Sequence, residues 1–221
     1  VDRAGRGDAG AGRVVVVSRM WFNEASSSTW YLVPGLIALV LTLIGAFLTS
    51  LLIAREWERG TLESLFVTPV RPLELVIAKL TPFLVIGAID LLMCLLAARF
   101  IFQVPIRGSI AAILFVSILY LIVSLSLGLF ISGATRNQFQ ASQLALLTSF
   151  MPALMLSGFI FPIASMPIFL QYVTTVVPAK YFLVALRGVV LKGLGLGDLV
   201  VPLMALAAYA LAVLGLASMR L

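Results

Sequence analysis

The sequence predicts an all-α integral membrane protein with five transmembrane helices. Hydrophobic residues make up 62% of the chain and charged residues 11%, and the mean hydropathy is +1.16, whereas a soluble domain is nearer half apolar and a quarter charged. Long apolar stretches recur between short polar or glycine- and proline-rich turns, and each is long enough to cross a bilayer as a helix. The predicted spans are residues 32–54, 76–102, 109–133, 141–161 and 199–219.

The first predicted span, residues 32–54, contains no charged residue. Trp30 and Tyr31 precede it and Trp57 follows it. On a helix these two aromatic groups are about 40 Å apart, which matches the distance between the two headgroup regions where such side chains collect. The pattern indicates a complete crossing of the membrane.

The second predicted helix begins at Pro72, because proline suits the first helical position and Glu74 then lies in the first turn, where an anion is favourable. It runs to residue 102, longer than the bilayer is thick, so its first turns, with Lys79, are expected to project into water. Asp90 and Arg99 lie within its apolar part. Nine residues at about 100° each place them on opposite faces, so they cannot pair along their own helix.

Asp90 lies near the middle of this span, where a charge costs about 2.5–3.5 kcal/mol on insertion scales. It therefore needs a partner, water or a proton. Two interpretations stay open: a polar spot that faces the helix bundle or a transport path, and a protonated or hydrogen-bonded packing residue. Arg99 is close to the end of the helix and is expected to extend its charged end to the interface.

The later spans carry two local signals. Ser124, Gly128 and Ser132 repeat at every fourth residue, which predicts a small-residue stripe for close helix approach. Pro152 is expected to kink the fourth span. Apolar sequence continues beyond one span's length after residue 161, so residues 166–177 and 179–191 are predicted to form two short helices near the interface.

The charged segment between the first two spans, residues 55–72, reads REWERGTLESLFVTPVRP. Residues 61–67 could form two helical turns with Leu62, Leu65 and Phe66 on one side. Gly60 and Pro69 would bound this short helix. The segment is either a docking element for a partner protein, a solvated connector, or a helix lying among the headgroups.

Several residue types are missing from the sequence. There is no histidine and Cys94 is the only cysteine, which excludes a metal site built from these residues, a disulfide within the chain and a histidine-based catalytic triad. No phosphate-binding P-loop motif occurs, and nothing resembles a nucleic-acid motif. Basic residues are distributed six against five between the two sides of the membrane, so the positive-inside rule does not settle the orientation.

The first residues of the chain differ from the rest. Residues 1–13 are rich in glycine and arginine and are expected to be flexible. Val14 to Val17 is too short for the apolar core of a signal peptide, and its β-branched residues predict a strand from a domain that precedes the membrane. The chain begins with Val1 rather than Met, so we expect a fragment of a longer protein.

Several stretches, in order, resemble one family. The loop REWERGTLESLFVTPVRPLEL resembles RERERGTLEQL…TPVSPLEL of the ATP-binding-cassette (ABC) type-2 exporter permeases, in their bacterial multidrug-export branch. YLVPGL (31–36), GATRNQFQA (133–141), LSGFIFPIASMP (156–167) and YFLVALRGVVLKG (181–193) are also similar to that family. The resemblance extends from about Trp21 to the end. Trp57 departs from it, since the family usually has a polar or charged residue there.

The resemblance implies six spans in the full subunit and a large external domain between the first and second. Residues 1–31 would then be a remnant of that domain with its linker, and residues 32–221 the transmembrane domain. Residues 61–67 would be a cytoplasmic coupling helix seated in an ATPase subunit, and the helices at 166–177 and 179–191 an external re-entrant pair. The residues that the resemblance assigns to ATPase coupling are Arg55, Glu56, Glu58, Arg59, Gly60, Thr61, Leu62, Glu63, Leu65 and Phe66. Those of the external re-entrant motif are Ser157, Gly158, Phe159, Pro162 and Pro167.

The implied function is that of a permease subunit in an ATP-driven exporter of amphipathic or hydrophobic molecules, multi-pass in the bacterial inner membrane. The chain itself would bind no cofactor and do no covalent chemistry, because ATP and Mg²⁺ would belong to a separate ATPase subunit. A second permease subunit, identical or paralogous, is implied, with a periplasmic adaptor as an optional further partner. An ion-coupled secondary transporter using Asp90 is the alternative; an intramembrane enzyme lacks any recognisable catalytic arrangement. The sequence does not identify the substrate.

Overall fold

A computed structural model describes residues 28–60, 72–135 and 137–220. The predicted coupling helix at 61–67 and the predicted strand at Val14 to Val17 lie outside these residues. The described part is built from helices, with no strand among them. In chain order they are α1 (Ser28–Thr42, continued by the π-helical turn Leu43–Leu48 and by Thr49–Glu58), α2 (Pro72–Phe100), α3 (Ile110–Thr135), α4 (Gln138–Ala145, the π-helical turn Leu146–Phe150 and Met151–Leu156), α5 (Ile168–Thr174), α6 (Pro178–Lys192) and α7 (Val200–Arg220).

In the part of the chain that the structure describes, five helices are long and apolar enough to cross a membrane, which confirms the predicted fold class. They are Thr29–Glu58, Glu74–Phe100, Ile110–Thr135, Gln138–Leu156 and Leu196–Ser218. Pro72 begins α2 and Glu74 lies in its first turn, as the local sequence predicts.

The helix α3 is the centre of the bundle, because α1, α2, α4, α6 and α7 all pack against it. It carries no charged side chain from end to end, so it can be buried on most of its surface. Tyr120 and Phe182 fill the space between α3 and α6, and their rings stack at 4.2 Å between centroids with only 2° between their planes. The helices α2 and α7 instead expose many large apolar side chains, as lipid-facing helices do.

The fourth span differs from its predicted bounds of 141–161, because α4 ends at Leu156. The next residues turn away from helical geometry at Gly158, whose φ is +83°, a conformation that glycine adopts without strain. Pro152 lies just after the π-helical turn Leu146–Phe150. Proline lacks a backbone N–H, and a π-helical turn is one way in which a helix adjusts its hydrogen bonds.

The helices α5 and α6 meet at 81°. This sharp bend at the start of α6 is the geometry of a re-entrant loop or of a broken span. Pro178 is the first residue of α6, and Gly193, with a φ of +69°, follows its last. The sequence predicts this pair at 166–177 and 179–191, and places α6 near the interface. In the structure α6 buries one face, including Leu183, Leu186 and Val189, against α1, α3 and α7.

Candidate functional site

The last turn of α1 and the two residues after it contain the described half of the predicted coupling residues. Arg55, Glu58, Arg59 and Gly60 are exposed and Glu56 is partly buried. The helix ends because Gly60 takes a φ of +69°, and its N–H donates to the carbonyl of Trp57 at 3.1 Å. The other predicted coupling residues lie outside the described part of the chain: Thr61, Leu62, Glu63, Leu65 and Phe66.

Glu56 forms an ion pair with Lys79 of α2. The side chains are 22% and 19% exposed, respectively, so the pair is only partly solvated. The sequence predicts that the first turns of α2, with Lys79, project into water, and in the structure the ammonium of Lys79 contacts Glu56 of α1. The two residues lie on either side of residues 61–71, so the ion pair joins the helix that enters this segment to the helix that leaves it.

Glu58 contacts the first turn of α4. The backbone N–H of Gln138 donates to Glu58 Oε1 at 2.8 Å, and the side-chain amide of Gln138 donates to Oε2. A carboxylate at a helix N-terminus also interacts favourably with the helix dipole. Asn137 caps the same helix by accepting a hydrogen bond from the N–H of Gln140 at 3.1 Å. The end of α1 is therefore attached to the start of α4.

The predicted small-residue stripe on α3 lies against α1. A Cβ on Gly128 would overlap Thr49 Oγ1 and the carbonyl oxygen of Ala46. Ser132 Oγ accepts a hydrogen bond from the backbone N–H of Ala54 at 2.8 Å. Ser124 packs where Gly45 of α1 has no side chain. The backbones of α1 and α3 approach closely because small residues stand on both sides of the interface.

The opposite end of α1 meets the segment predicted to be the external re-entrant motif. Gly158 O accepts a hydrogen bond from Tyr31 Oη at 3.3 Å and another from Arg187 Nη1 at 3.1 Å. The ring of Phe159 covers Gly35, where any Cβ would overlap it. Ser157 is buried beside them.

The two prolines of this motif lie further along the chain. Pro162 directly precedes the 3₁₀ turn Ile163–Ser165, and Pro167 directly precedes α5. Both are exposed. The structure thus places Gly158 and Phe159 against α1 and leaves the two prolines outside this contact.

Arg187 of α6 also belongs to this cluster. In the structure its guanidinium stacks on the ring of Tyr31, at 3.6 Å from the ring centroid, and Nη2 donates to the Tyr31 carbonyl at 3.3 Å. In the sequence Arg187 is surrounded by apolar residues, and this pattern could have indicated that its charge contacts another part of the chain.

Asp90 and Arg99 lie apart on α2. Asp90 is half-buried, and its Oδ2 is buried with no hydrogen-bond partner among the described residues. Arg99 is exposed close to the end of the helix. The described residues contain no cluster of three or more acidic, cysteine or histidine side chains that could hold a metal ion.

A family model described as "ABC-2 type transporter" matches residues 12–191. The matched region includes α1 to α6 and therefore both ends of α1 with their contacts. The chain belongs to the ABC-2 type transporter family. It is accordingly a multi-pass membrane chain.

Named relatives of this ABC-2 chain include two proteins of Escherichia coli K12. "Probable multidrug ABC transporter permease YbhS" is 47% identical over 178 residues, 80% of this chain and 47% of the relative. "Probable multidrug ABC transporter permease YbhR" is 33% identical over 177 residues, 80% of this chain and 48% of the relative. "ABC transporter G family member 20" of Dictyostelium discoideum is 32% identical over 181 residues, 82% of this chain and 25% of the relative. The chain spans about half the length of the two bacterial relatives.

Proposed function

We propose that this chain is the transmembrane part of an ATP-driven exporter and that a separate ATPase subunit moves it. The proposal depends on the contacts made by the helix ends on either side of residues 61–71. Glu56 is paired with Lys79 of α2 and Glu58 is hydrogen-bonded to Gln138 of α4, so three helices are joined where this segment leaves and re-enters the bundle. Membership of the ABC-2 family and the names of its bacterial relatives support the same function.

In this mechanism the ATPase binds the coupling helix predicted at 61–67. Leu62, Leu65 and Phe66 are the apolar anchors, and Arg55, Arg59 and Glu63 set the orientation by charge. Glu56 and Glu58 have a different role, because both contact their own chain. They transmit the movement of the segment to α2 and α4.

The helix α1 carries this movement through the membrane. Its membrane span, Thr29–Glu58, has 30 residues and is about 45 Å long, with Tyr31 close to the end opposite the coupling residues. Its close packing against Gly128 and Ser132 makes α1 and α3 move together rather than slide. At the far end Tyr31 contacts Arg187 and Gly158, so a shift of α1 displaces the bent α5–α6 pair. Such a rigid-body change is a known route to alternating access.

The partners follow from this assignment. ATP and Mg²⁺ bind to the ATPase, since the sequence has no P-loop. A second permease subunit, identical or paralogous, completes the pathway, with a periplasmic adaptor as a further component. The assembly resides in the bacterial inner membrane, with residues 61–67 cytoplasmic and α5–α6 external. Amphipathic or hydrophobic molecules are the substrate class, which suits relatives named multidrug permeases.

Site-specific photocrosslinking tests the docking. A benzophenone amino acid replaces Leu65, predicted to face the ATPase, or Ile89, which is 59% exposed on the apolar part of α2 and serves as the matched control. We expect an ATPase adduct from position 65 and none from position 89. Equal yields at the two positions, or none at position 65, would refute the docking assignment.

Transport measured on the whole protein tests the energy source. Purified with its ATPase in liposomes, the protein is expected to accumulate an amphipathic dye only when ATP is supplied. Uphill transport by preparations without any ATPase would reject the proposal and would favour the ion-coupled alternative. The observation that supports this alternative is that Asp90 Oδ2 has no hydrogen-bond partner within the described ranges.

A further inference from the structure

A pocket of about 480 Å³ lies between the end of α4 and the residues that lead to α5. Three methionines line it: Met151 and Met155 of α4, and Met166 in the connection just before α5. The whole chain has seven methionines among 221 residues, whereas three of the nine residues that line this pocket are methionine. Thioether groups are therefore concentrated at this one place.

The end of α4 places two of these methionines side by side. Met151 and Met155 are four residues apart, and side chains with this spacing are neighbours on one face of a helix. They are 50% and 46% exposed, so neither is locked inside the core of the bundle. The π-helical turn Leu146–Phe150 ends directly before Met151, and π-helical turns are frequent at functional sites.

The third methionine, Met166, is positioned by its backbone. Its N–H donates to the carbonyl of Ile163 at 3.1 Å, and its carbonyl accepts a hydrogen bond from Gln171 Nε2 at 2.9 Å. Gln171 belongs to α5, which packs against the last segment of α4. These contacts keep Met166 at the pocket. The methionine side chain is unbranched and has three rotatable bonds, so the three sulfur atoms can turn towards one ligand.

The chemistry of the lining residues selects among possible ions. Thioether sulfur is a soft, uncharged donor that suits soft cations such as Cu(I). None of the described residues that line the pocket is charged, so a divalent ion would be poorly compensated there and a monovalent one is favoured. Hard ions such as Ca²⁺ need several oxygen ligands. The hydroxyl of Ser165, which lines the pocket, already donates to the Pro162 carbonyl at 2.7 Å.

We propose that Met151, Met155 and Met166 bind a soft monovalent cation, Cu(I) or the chemically similar Ag(I), through their thioether sulfurs. Phe161 also lines the pocket, and the face of an aromatic ring attracts cations. Because Phe161 is 53% exposed and both methionines of α4 are about half exposed, the ion can enter from outside the bundle. The site belongs to one subunit and does not depend on ATP-driven transport.

Competition for Cu(I) tests the site on the whole purified protein in detergent. The protein is titrated anaerobically against the Cu(I) complex of the coloured chelator bathocuproine disulfonate. All variants carry Cys94→Ala, because a cysteine thiolate would also bind Cu(I). The triple variant Met151→Leu, Met155→Leu and Met166→Leu keeps apolar side chains of similar volume, so it is expected to fold.

The triple variant should lose Cu(I) affinity by at least about ten-fold, since even the groups that only support metal ligands contribute about 10–100-fold. Met204→Leu is the matched control, because it makes the same chemical change at a residue of α7 that is 67% exposed and outside the pocket. It should leave the affinity unchanged. Parental affinity in the triple variant, or an equal loss in Met204→Leu, would overturn the proposal.

X-ray absorption provides a second readout that does not require the variants to fold. Protein that carries Cys94→Ala and is labelled with selenomethionine is loaded with one equivalent of Cu(I). The spectrum at the copper edge should then show selenium neighbours, which only methionine can supply. Copper that is bound without a selenium neighbour would contradict the assignment of the thioethers as ligands.

Discussion

Arg187 of α6 stacks its guanidinium on the ring of Tyr31 at the start of α1, with Cζ 3.6 Å from the ring centroid. The same side chain donates to the carbonyls of Tyr31 and Gly158. Three separate segments, α1, the residues after α4 and α6, therefore meet at one cation. Because arginine presents a planar fork, it can stack and donate in two directions at once, which the ammonium of lysine cannot do.

Replacement of Arg187 by lysine should destabilise the protein although the charge is kept. The loss combines a cation–π contact of about 0.5–2 kcal/mol with hydrogen bonds to two carbonyls. The measurement is thermal unfolding in detergent followed by circular dichroism. Arg99→Lys on the exposed part of α2 is the matched control and should leave the midpoint unchanged. An equal effect of the two substitutions would mean that the contacts of Arg187 are not stabilising.

Gly128 should not tolerate a side chain. Gly128→Ala places a Cβ onto Thr49 Oγ1 and the carbonyl of Ala46, and overpacking of this kind costs about 1–3 kcal/mol. Gly215→Ala on α7 meets no atom of the described residues within 4 Å, so it should be neutral or slightly stabilising, since alanine favours helix more than glycine does. Unfolding midpoints of the two variants test the difference. A Gly128→Ala protein as stable as the parent would show that α1 and α3 can separate.

The sequence is most informative where one local rule acts alone. Uninterrupted apolar length predicts α1 and α3, and proline and glutamate preferences predict the start of α2 at Pro72. Contacts between distant residues are not accessible in this way: Arg187 and Tyr31 are 156 positions apart. The π-helical turn Leu146–Phe150 is likewise not specified by any simple residue pattern.

The predicted coupling site shows the same contrast between local patterns, which the sequence reveals, and contacts between distant residues, which it does not. The family resemblance assigns Glu56 and Glu58 to ATPase coupling, and this stays a prediction. Their contacts within the chain, with Lys79 and Gln138 on other helices, are not visible from the sequence. The distance of a residue from the membrane could be estimated, but its neighbours could not.

The Glu56–Lys79 pair should behave as a unit in coupling. Glu56→Lys or Lys79→Glu alone places like charges together and should reduce ATPase activity that depends on substrate. The double exchange Glu56→Lys with Lys79→Glu restores opposite charges and should recover much of it. Both single variants are expected to insert in the membrane normally, since the pair lies beyond the apolar part of α1. A double variant as impaired as the sum of the single ones would show that the residues act independently.

Glu58 and Gln138 offer a parallel test of the contact between α1 and α4. Glu58→Ala removes acceptors for both the backbone N–H and the side chain of Gln138, whereas Gln138→Ala removes only the side-chain donor. The first should therefore weaken coupling more than the second, and the double variant should be no worse than Glu58→Ala. Substrate-stimulated ATP hydrolysis at equal expression provides the measurement. Strictly additive losses would indicate that Glu58 acts on something other than Gln138.

Asp90 separates the ATP-driven mechanism from the ion-coupled one. Its Oδ2 is buried and makes no hydrogen bond within the described residues, and a charge at this depth costs about 2.5–3.5 kcal/mol on insertion scales. Asp90→Asn keeps the shape and removes the titratable proton, so ATP-dependent transport should persist and insertion should become easier. Dye uptake into inverted vesicles, with ATP or with an imposed pH gradient, measures the two energy sources. The contrary result would be transport that follows the pH gradient, is unaffected by ATP and disappears in Asp90→Asn. It would assign the energy coupling to this carboxyl and would refute the role proposed for the coupling segment.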